Sequence, residues 1–345
     1  MKDLGSVKLR IYSPTGKSES VRPEPTRDSL GPASSNPGSD TSFSETTGPI
    51  SFSTYMQMCL SHPTDGYYTN PAHAVFGSKG DFITSPEISQ VFGEVFEHFP
   101  AGRAAVNAIH LVETSNAMQR MQEERLQSTA KKYGWDVQWH SSLQDVAHDT
   151  QVYTMVLAHE FFDALPFHLL EKTKEGWNEV LIASVPDPTA PKILKSSPSL
   201  PDNASENIIR GVLETSPRFR QVLSRSPTVA SSLLGTSSPR FQKLPVGSRV
   251  EISPSAFKIA HRIGELLHSH NGTAEDVAGC ALIVDYGGEK AYGSSFRAFK
   301  DHKIVDVFHR PGECDLTTNV DFAYLKDAIA DLGMFGCLSF SQVII

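Results

Sequence analysis

The chain has 345 residues, 39% of them hydrophobic, and a formal net charge of −8. That length suits one large α/β domain with additions, or two smaller ones, and an acidic balance without a dense Lys/Arg run argues against a protein built to grip nucleic acid phosphates. Four widely spaced cysteines (Cys59, Cys280, Cys314 and Cys337) include no Cys-x-x-Cys pair, so neither a zinc knuckle nor a disulfide framework is indicated; the longest apolar runs are strand-sized, far from the ~20 residues of a membrane span.

Residues 1–49 are rich in Ser, Pro, Gly and Thr and poor in large apolar side chains. They are expected to form a disordered tail or a transit peptide. Lys2, Lys8, Arg10 and Lys17 favour the transit peptide; Gly5, Pro14, Glu19, Glu24 and Asp28 weigh against it. Residues 50–100 read as an N-terminal helical cap segment. It opens with a short helix capped by Ser51 or Ser53, continues through the loop His62-Pro63-Thr64-Asp65-Gly66-Tyr67-Tyr68, and ends in an amphipathic helix. In that last helix Ile88, Val91, Phe92, Val95, Phe96 and Phe99 share one face and Pro100 ends it.

Residues 101–345 read as an α/β domain. Ala108–Val112 is a buried strand ending at Glu113, and Ser115 caps a helix running to about Lys132. Trp135–Trp139 is a weaker strand. Val152–Ala158 is a strong one that leads into His159-Glu160-Phe161-Phe162-Asp163. Trp177–Ile182 is a further strand candidate, and a Pro/Ser-rich insertion at 184–246 reads as an elaborated surface loop with short helices. Ser253-Pro254 then opens a helix, Cys280–Val284 forms a strand ending at Asp285, Lys303–Phe308 is another strand candidate, and Val320-Asp321-Phe322 starts a last helix. Three apolar strands that end in an acid, separated by helical stretches, predict a doubly wound parallel sheet. Ligands in such sheets bind beyond the carboxyl ends of the strands. Glu113, Glu160 and Asp285 are therefore the first candidates for a site. Each has a plainer reading: Glu113 helps to cap the next helix, Glu160 and Asp163 complement a helix N-terminus, and Asp285 makes a turn with Gly287 and Gly288. His159-Glu160 begins like the zinc signature His-Glu-x-x-His, but the second His is absent, so no metal site is expected. With no Gly-x-Ser-x-Gly elbow and no phosphate-binding lysine loop, hydrolase readings lose support.

Several collinear motifs carry a family resemblance. They include Gly66-Tyr67-Tyr68, Gly80–Ser89, Phe92-Gly93-Glu94, His110–Ser115, Ala158–Pro166, Asp285-Tyr286-Gly287, Arg297-Ala298-Phe299, Pro311-Gly312, Asp315-Leu316-Thr317 and Val320-Asp321-Phe322. Over roughly residues 48–332 the chain resembles the MidA-like proteins, specifically their mitochondrial complex I assembly-factor type protein arginine methyltransferases. The resemblance implies a Rossmann-like methyltransferase sheet and S-adenosylmethionine as cofactor. It also implies a mitochondrial matrix location and a protein substrate, an arginine of a complex I subunit; the composition, for its part, leads us to expect no nucleic acid partner and no membrane span. It gives Glu113 to the ribose hydroxyls, sets Asp81, Thr84 and Glu87 over the cofactor cleft, and makes Glu160 and Asp163 the catalytic candidates.

The chain departs from the pattern in two places. Phe99-Pro100-Ala101-Gly102-Arg103 passes almost directly from the Ile88 helix to the Ile109 strand, where the family carries a first strand and a glycine-rich cofactor loop. The chain also ends where the family continues through further strands. The expected consequences are an incomplete sheet lacking a central strand and impaired cofactor binding. Two or three lost hydrogen bonds, at about 1.5–3 kcal/mol each, would turn a micromolar ligand into a roughly millimolar one. The alternative is a non-catalytic truncated homologue that keeps only a protein-binding role.

Overall fold

The computed structural model describes residues 7–12, 48–69, 105–149, 152–185, 218–268 and 279–332. The chain opens with strand β1 (Val7–Tyr12), then β2 (Ile50–Ser51) and helix α1 (Phe52–Ser61), capped by Ser51, whose hydroxyl accepts from the Thr54 amide. Strand β3 (Val106–Val112), helix α2 (Asn116–Tyr133), β4 (Asp136–His140) and β5 (Tyr153–His159) follow. Next come β6 (His168–Thr173), β7 (Gly176–Val185), β8 (Arg218–Leu223), the short helices α3 (Val229–Leu234) and α4 (Pro239–Gln242), and β9 (Arg249–Ile252). Helix α5 (Pro254–Leu267) leads to β10 (Gly279–Val284) and β11 (Gly287–Gly288). Last are β12 (Arg297–Lys300), β13 (Lys303–Val305), β14 (Asp315–Thr317), β15 (Val320–Asp321) and helix α6 (Phe322–Asp327).

The main sheet has the order β10-β5-β1-β3-β4, and every neighbouring pair is parallel. Side chains alternate between its two faces, as the two-residue period of a strand requires. Val112, Val156 and Ala158 pack on one face with Ala256, Ala260, Ile263, Leu266 and Leu267 of α5. Ile109, Leu111, Tyr153 and Met155 pack on the other with Leu126 of α2. The helix cap at Ser115 and the left-handed Gly134 (φ 73°) fix where α2 starts and stops. A second, antiparallel sheet has the order β2-β7-β6-β9 with β8 on β7, and a three-stranded sheet has the order β13-β12-β14. Helix α1 binds these two together through Phe52, Tyr55, Met56 and Leu60, packed with Phe167, Leu169, Ile182, Ala298 and Leu316.

Two expectations change. Val7–Tyr12, expected in a disordered tail or transit peptide, is the middle strand of the parallel sheet. It is paired along its length with β3 on one side and β5 on the other. The sheet therefore does not lack a central strand; the N-terminus occupies the slot that the short passage at Phe99–Arg103 leaves empty. The physical cause is in the pattern Val7-Lys8-Leu9-Arg10-Ile11-Tyr12, where β-prone apolar residues alternate with cations, and in the strong demand of two flanking strands for backbone partners. The Pro/Ser-rich stretch at 184–246, expected as a surface loop with short helices, also supplies β8, which extends the second sheet beside β7. The helix expected over Ile88–Phe99 lies outside the described residues. No helix among the described residues is long and apolar enough to cross a membrane.

Candidate functional site

The order of the parallel sheet sets the location of the site. From β1 the chain runs outward through β3 to β4, then returns to the other side of β1 through β5 and β10. The direction reverses at β1, and the crevice beyond the carboxyl ends at such a reversal is where doubly wound sheets bind ligands. Tyr12 aligns with Val112 and with Ala158, and His159 aligns with Val284. The residues just past these ends, Glu113, Glu160 and Asp285, therefore stand along one rim of the sheet.

Glu113 is buried at 3% exposure. One carboxylate oxygen accepts the Ser115 amide at 2.8 Å and the other accepts the Gln122 amide group at 3.3 Å. It thus takes part in the capping arrangement at the start of α2 while sitting beside the central strand.

The turn after β5 is unusual. Glu160 has φ 47°, a left-handed backbone conformation that side chains with a Cβ rarely adopt. Its amide still bonds Val284 at 2.8 Å, so the reversal happens at the last residue tied to the sheet. Phe161 and Phe162 then bury their rings in the core beside Leu165, which leaves the backbone amides of 161–163 facing the other way. All three meet one oxygen of the Asp285 carboxylate, at 3.1, 2.8 and 3.3 Å for Phe161, Phe162 and Asp163, while its other oxygen accepts the Tyr286 amide at 2.9 Å. The Tyr286 hydroxyl reaches the Glu160 carboxylate at 3.3 Å. The Asp163 carbonyl is held by the amide and hydroxyl of Thr318, at 2.8 and 3.1 Å.

Two residues of α1's following loop and of β14 complete the cluster. Tyr67 and Tyr68 fold back onto α1, their amides bonded to the Cys59 and Leu60 carbonyls. The Tyr68 hydroxyl donates to buried Asp315 at 2.8 Å. Acids dominate the charges acting on this cluster, with the half-buried His159 ring 4.0 Å from the Glu160 carboxylate. Burial raises Glu160 above the ordinary carboxylate range; the Tyr286 hydrogen bond opposes this and Asp315 adds to it. Burial and then the Asp163 charge push Asp285 well up against its four amide donors. Burial, followed by Asp315 and Asp163, does the same to the Tyr68 phenol. Burial and then Glu160 raise Tyr286. Four carboxylates brought together in partly buried surroundings each resist ionisation, and a positive group among them would relieve this.

Sequence reading singled out Glu113, Glu160 and Asp163, and the structure places all three at the strand ends, with Glu160 and Asp163 in one cluster and Glu113 across β1 from it. Asp81, Thr84 and Glu87 lie outside the described residues. The role of Asp315 was missed, although Asp315-Leu316-Thr317 was noted as a motif. Its only sequence signal was an acid opening a short apolar strand. Among the described residues, no group of three or more His, Cys, Asp or Glu side chains is arranged to hold a metal ion.

Residues 89–338 match the model of a family described as "Putative S-adenosyl-L-methionine-dependent methyltransferase". The mitochondrial protein arginine methyltransferase NDUFAF7 of Danio rerio is 32% identical over 338 residues, 83% of this chain and 69% of that protein. The Drosophila melanogaster homolog is 34% identical over 344 residues, 84% of this chain and 69% of that protein. A "likely methyl transferase" from Burkholderia thailandensis, solved with S-adenosyl-homocysteine bound, superposes with a TM-score of 0.56 at 20% identity, over 85% of this chain and 74% of that one. That last match supports the fold alone, but the family model and the animal relatives together show that this chain belongs to the S-adenosyl-L-methionine-dependent methyltransferase family that they define.

Proposed function

We propose that this chain transfers a methyl group from S-adenosylmethionine to an arginine of a protein, and that the strand-end cleft between Glu113 and the Glu160–Asp163 turn is where it does so. The observation that carries the reading is the acid cluster at the topological switch point, with Glu160 held at φ 47° on its rim. Both reactants are cations, a sulfonium and a guanidinium, so a rim rich in carboxylates suits the pair. Glu113 stands where a strand-end acid beside the central strand meets a ribose diol. Its two oxygens already accept amide donors, and a carboxylate has about four acceptor sites in all, which suits the paired hydroxyls of that half of the cofactor. When bound, the cofactor supplies an electrophilic methyl group.

The chain's own residues do the rest. Glu160 and Asp163 accept hydrogen bonds from the guanidinium and fix which nitrogen faces the methyl. The guanidinium cannot be deprotonated beforehand in a protein, so a proton must leave as the new N–C bond forms. Glu160, whose proton affinity is raised by burial, is placed to take it.

Relatives named as mitochondrial arginine methyltransferases support a mitochondrial matrix site of action. By the same resemblance, the substrate is a complex I subunit and the reaction serves assembly of that complex. The resemblance also gives Asp81, Thr84 and Glu87, which lie outside the described residues, to cofactor binding. The lack of a glycine-rich loop ahead of β3 favours weaker cofactor binding than in loop-bearing relatives, and it is also the observation that favours a non-catalytic, protein-binding homologue as the second reading. The test is incubation with methyl-labelled cofactor at millimolar concentration and a mitochondrial protein extract, followed by hydrolysis to amino acids. Label in methylarginine supports the first reading. Its absence at saturating cofactor supports the second.

A further inference from the structure

We propose that Asp285 is a positioning residue for the reaction. Its carboxylate, seated against three successive backbone amides, holds the turn after β5 in the one shape that aims Glu160 and Asp163 into the cleft. Three consecutive N–H groups pointing the same way form a concavity suited to an anion. In many proteins such a nest binds a ligand's phosphate or carboxylate. Here it is filled from within the chain, by the residue that ends the neighbouring strand β10, at 2.8–3.3 Å from the amides of Phe161, Phe162 and Asp163.

The need for an internal acceptor follows from the rest of the turn. Phe161 and Phe162 commit their rings to the core, so their amides cannot turn to solvent. Glu160 at φ 47° is a conformation that its surroundings must impose. The carbonyl of Asp163 is pinned separately by Thr318. Asp285 therefore fixes the amide side of the turn and Thr318 its carbonyl side. Asp285 also fixes the amide of Tyr286, whose hydroxyl bonds Glu160. One carboxylate thus orders both the backbone beneath Glu160 and the phenol beside it. Asp285 itself faces amides on both oxygens, so it acts through Glu160 and Asp163 and does not touch the substrate.

This inference rests on the proposed methyl-transfer reading for its kinetic consequence, but its structural core is tested without catalysis. Amide hydrogen exchange would be measured at residues 161–163 in the full chain and in Asp285→Asn and Asp285→Ala. The expected result is protection in the parent chain, exchange faster by about tenfold or more in Asp285→Ala, and intermediate protection in Asp285→Asn, which keeps one acceptor oxygen for the nest. Alongside, kcat for methyl transfer should fall by about 100-fold in Asp285→Ala, as expected when reacting groups are misplaced by about an ångström. Asp285→Asn should recover part of that loss, with the cofactor KM within about twofold of the parent in both. Unchanged protection in Asp285→Ala overturns the clamp. Lost protection with unchanged kcat overturns the positioning role. If Asp285→Ala fails to fold, Asp285→Asn decides by the same two readouts. A parent chain that transfers no methyl removes the proposed function and leaves the exchange result to judge the clamp alone.

Discussion

Removing residues 1–12 should unfold the parallel sheet. β1 is six residues long and is aligned along that length with β3 and with β5. A strand paired on both sides places nearly all its amides and carbonyls in ladders, about ten hydrogen bonds at roughly 1 kcal/mol net each. The sum, about 10 kcal/mol, is comparable with the whole stability of a typical domain, about 5–15 kcal/mol. The gap cannot close cheaply, because β3 and β5 would have to approach by one strand spacing, about 4.8 Å, against the helices packed on both faces. Until they did, each would present an open edge. The assay is thermal unfolding followed by far-ultraviolet circular dichroism. Deletion of residues 1–6 serves as the neutral control, and Leu9→Pro is a point variant that removes a central-strand amide. Loss of a cooperative transition in the 1–12 deletion and in Leu9→Pro is expected. A 1–12 deletion that melts within about 2 °C of the parent, a shift worth about 1 kcal/mol for a chain this size against the roughly 10 kcal/mol expected, would refute the placement of β1.

Three further outcomes follow. Glu113→Ala should weaken S-adenosyl-homocysteine binding by roughly tenfold or more, at about 1.5–3 kcal/mol for a hydrogen bond to a charged group; unchanged affinity by titration calorimetry would remove Glu113 from the cofactor site. Because burial raises Glu160 and only its ionised form binds a guanidinium, the acid limb of kcat/KM should lie above the ordinary glutamate range, with activity rising as pH rises through the raised value; a limb that persists unmoved in Glu160→Gln would assign it to another group. Gly287, which pairs with Val320 where β11 runs parallel to β15, has φ 155°, and a Cβ there would sit 2.1 Å from the Val320 carbonyl oxygen, so Gly287→Ala should break that pairing and cost about 1–3 kcal/mol, seen as a lowered melting temperature; an unchanged one would show that the backbone can shift.

Much of the frame was legible because it rests on local rules. Ser115 and Ser253 announced their helices as capping residues do. The apolar runs near Ile109, Met155 and Leu282 gave the parallel strands, and their terminal acids pointed to the rim that carries the candidate site. The role of Val7–Tyr12 was not legible for a reason of range. Six alternating residues inside a Ser/Pro-rich stretch have no stability of their own, and only the slot between β3 and β5, remote in sequence, makes them a strand. The Asp285 nest was hidden for a similar reason, since its partners lie more than 120 residues away. Nor does a sequence show that Glu160 sits at φ 47°, because nothing but tertiary packing forces a glutamate there.

The most direct test of the account is a single-turnover measurement of methyl transfer to an arginine-containing protein substrate at saturating cofactor. It would compare the parent chain with Glu160→Gln and Asp163→Asn, and calorimetry would check that each variant still binds S-adenosyl-homocysteine. The account predicts methylarginine from the parent, a fall of about 100-fold or more in both variants, and cofactor binding unchanged within about twofold. Equal turnover in all three chains, or label appearing on a residue other than arginine, would contradict it.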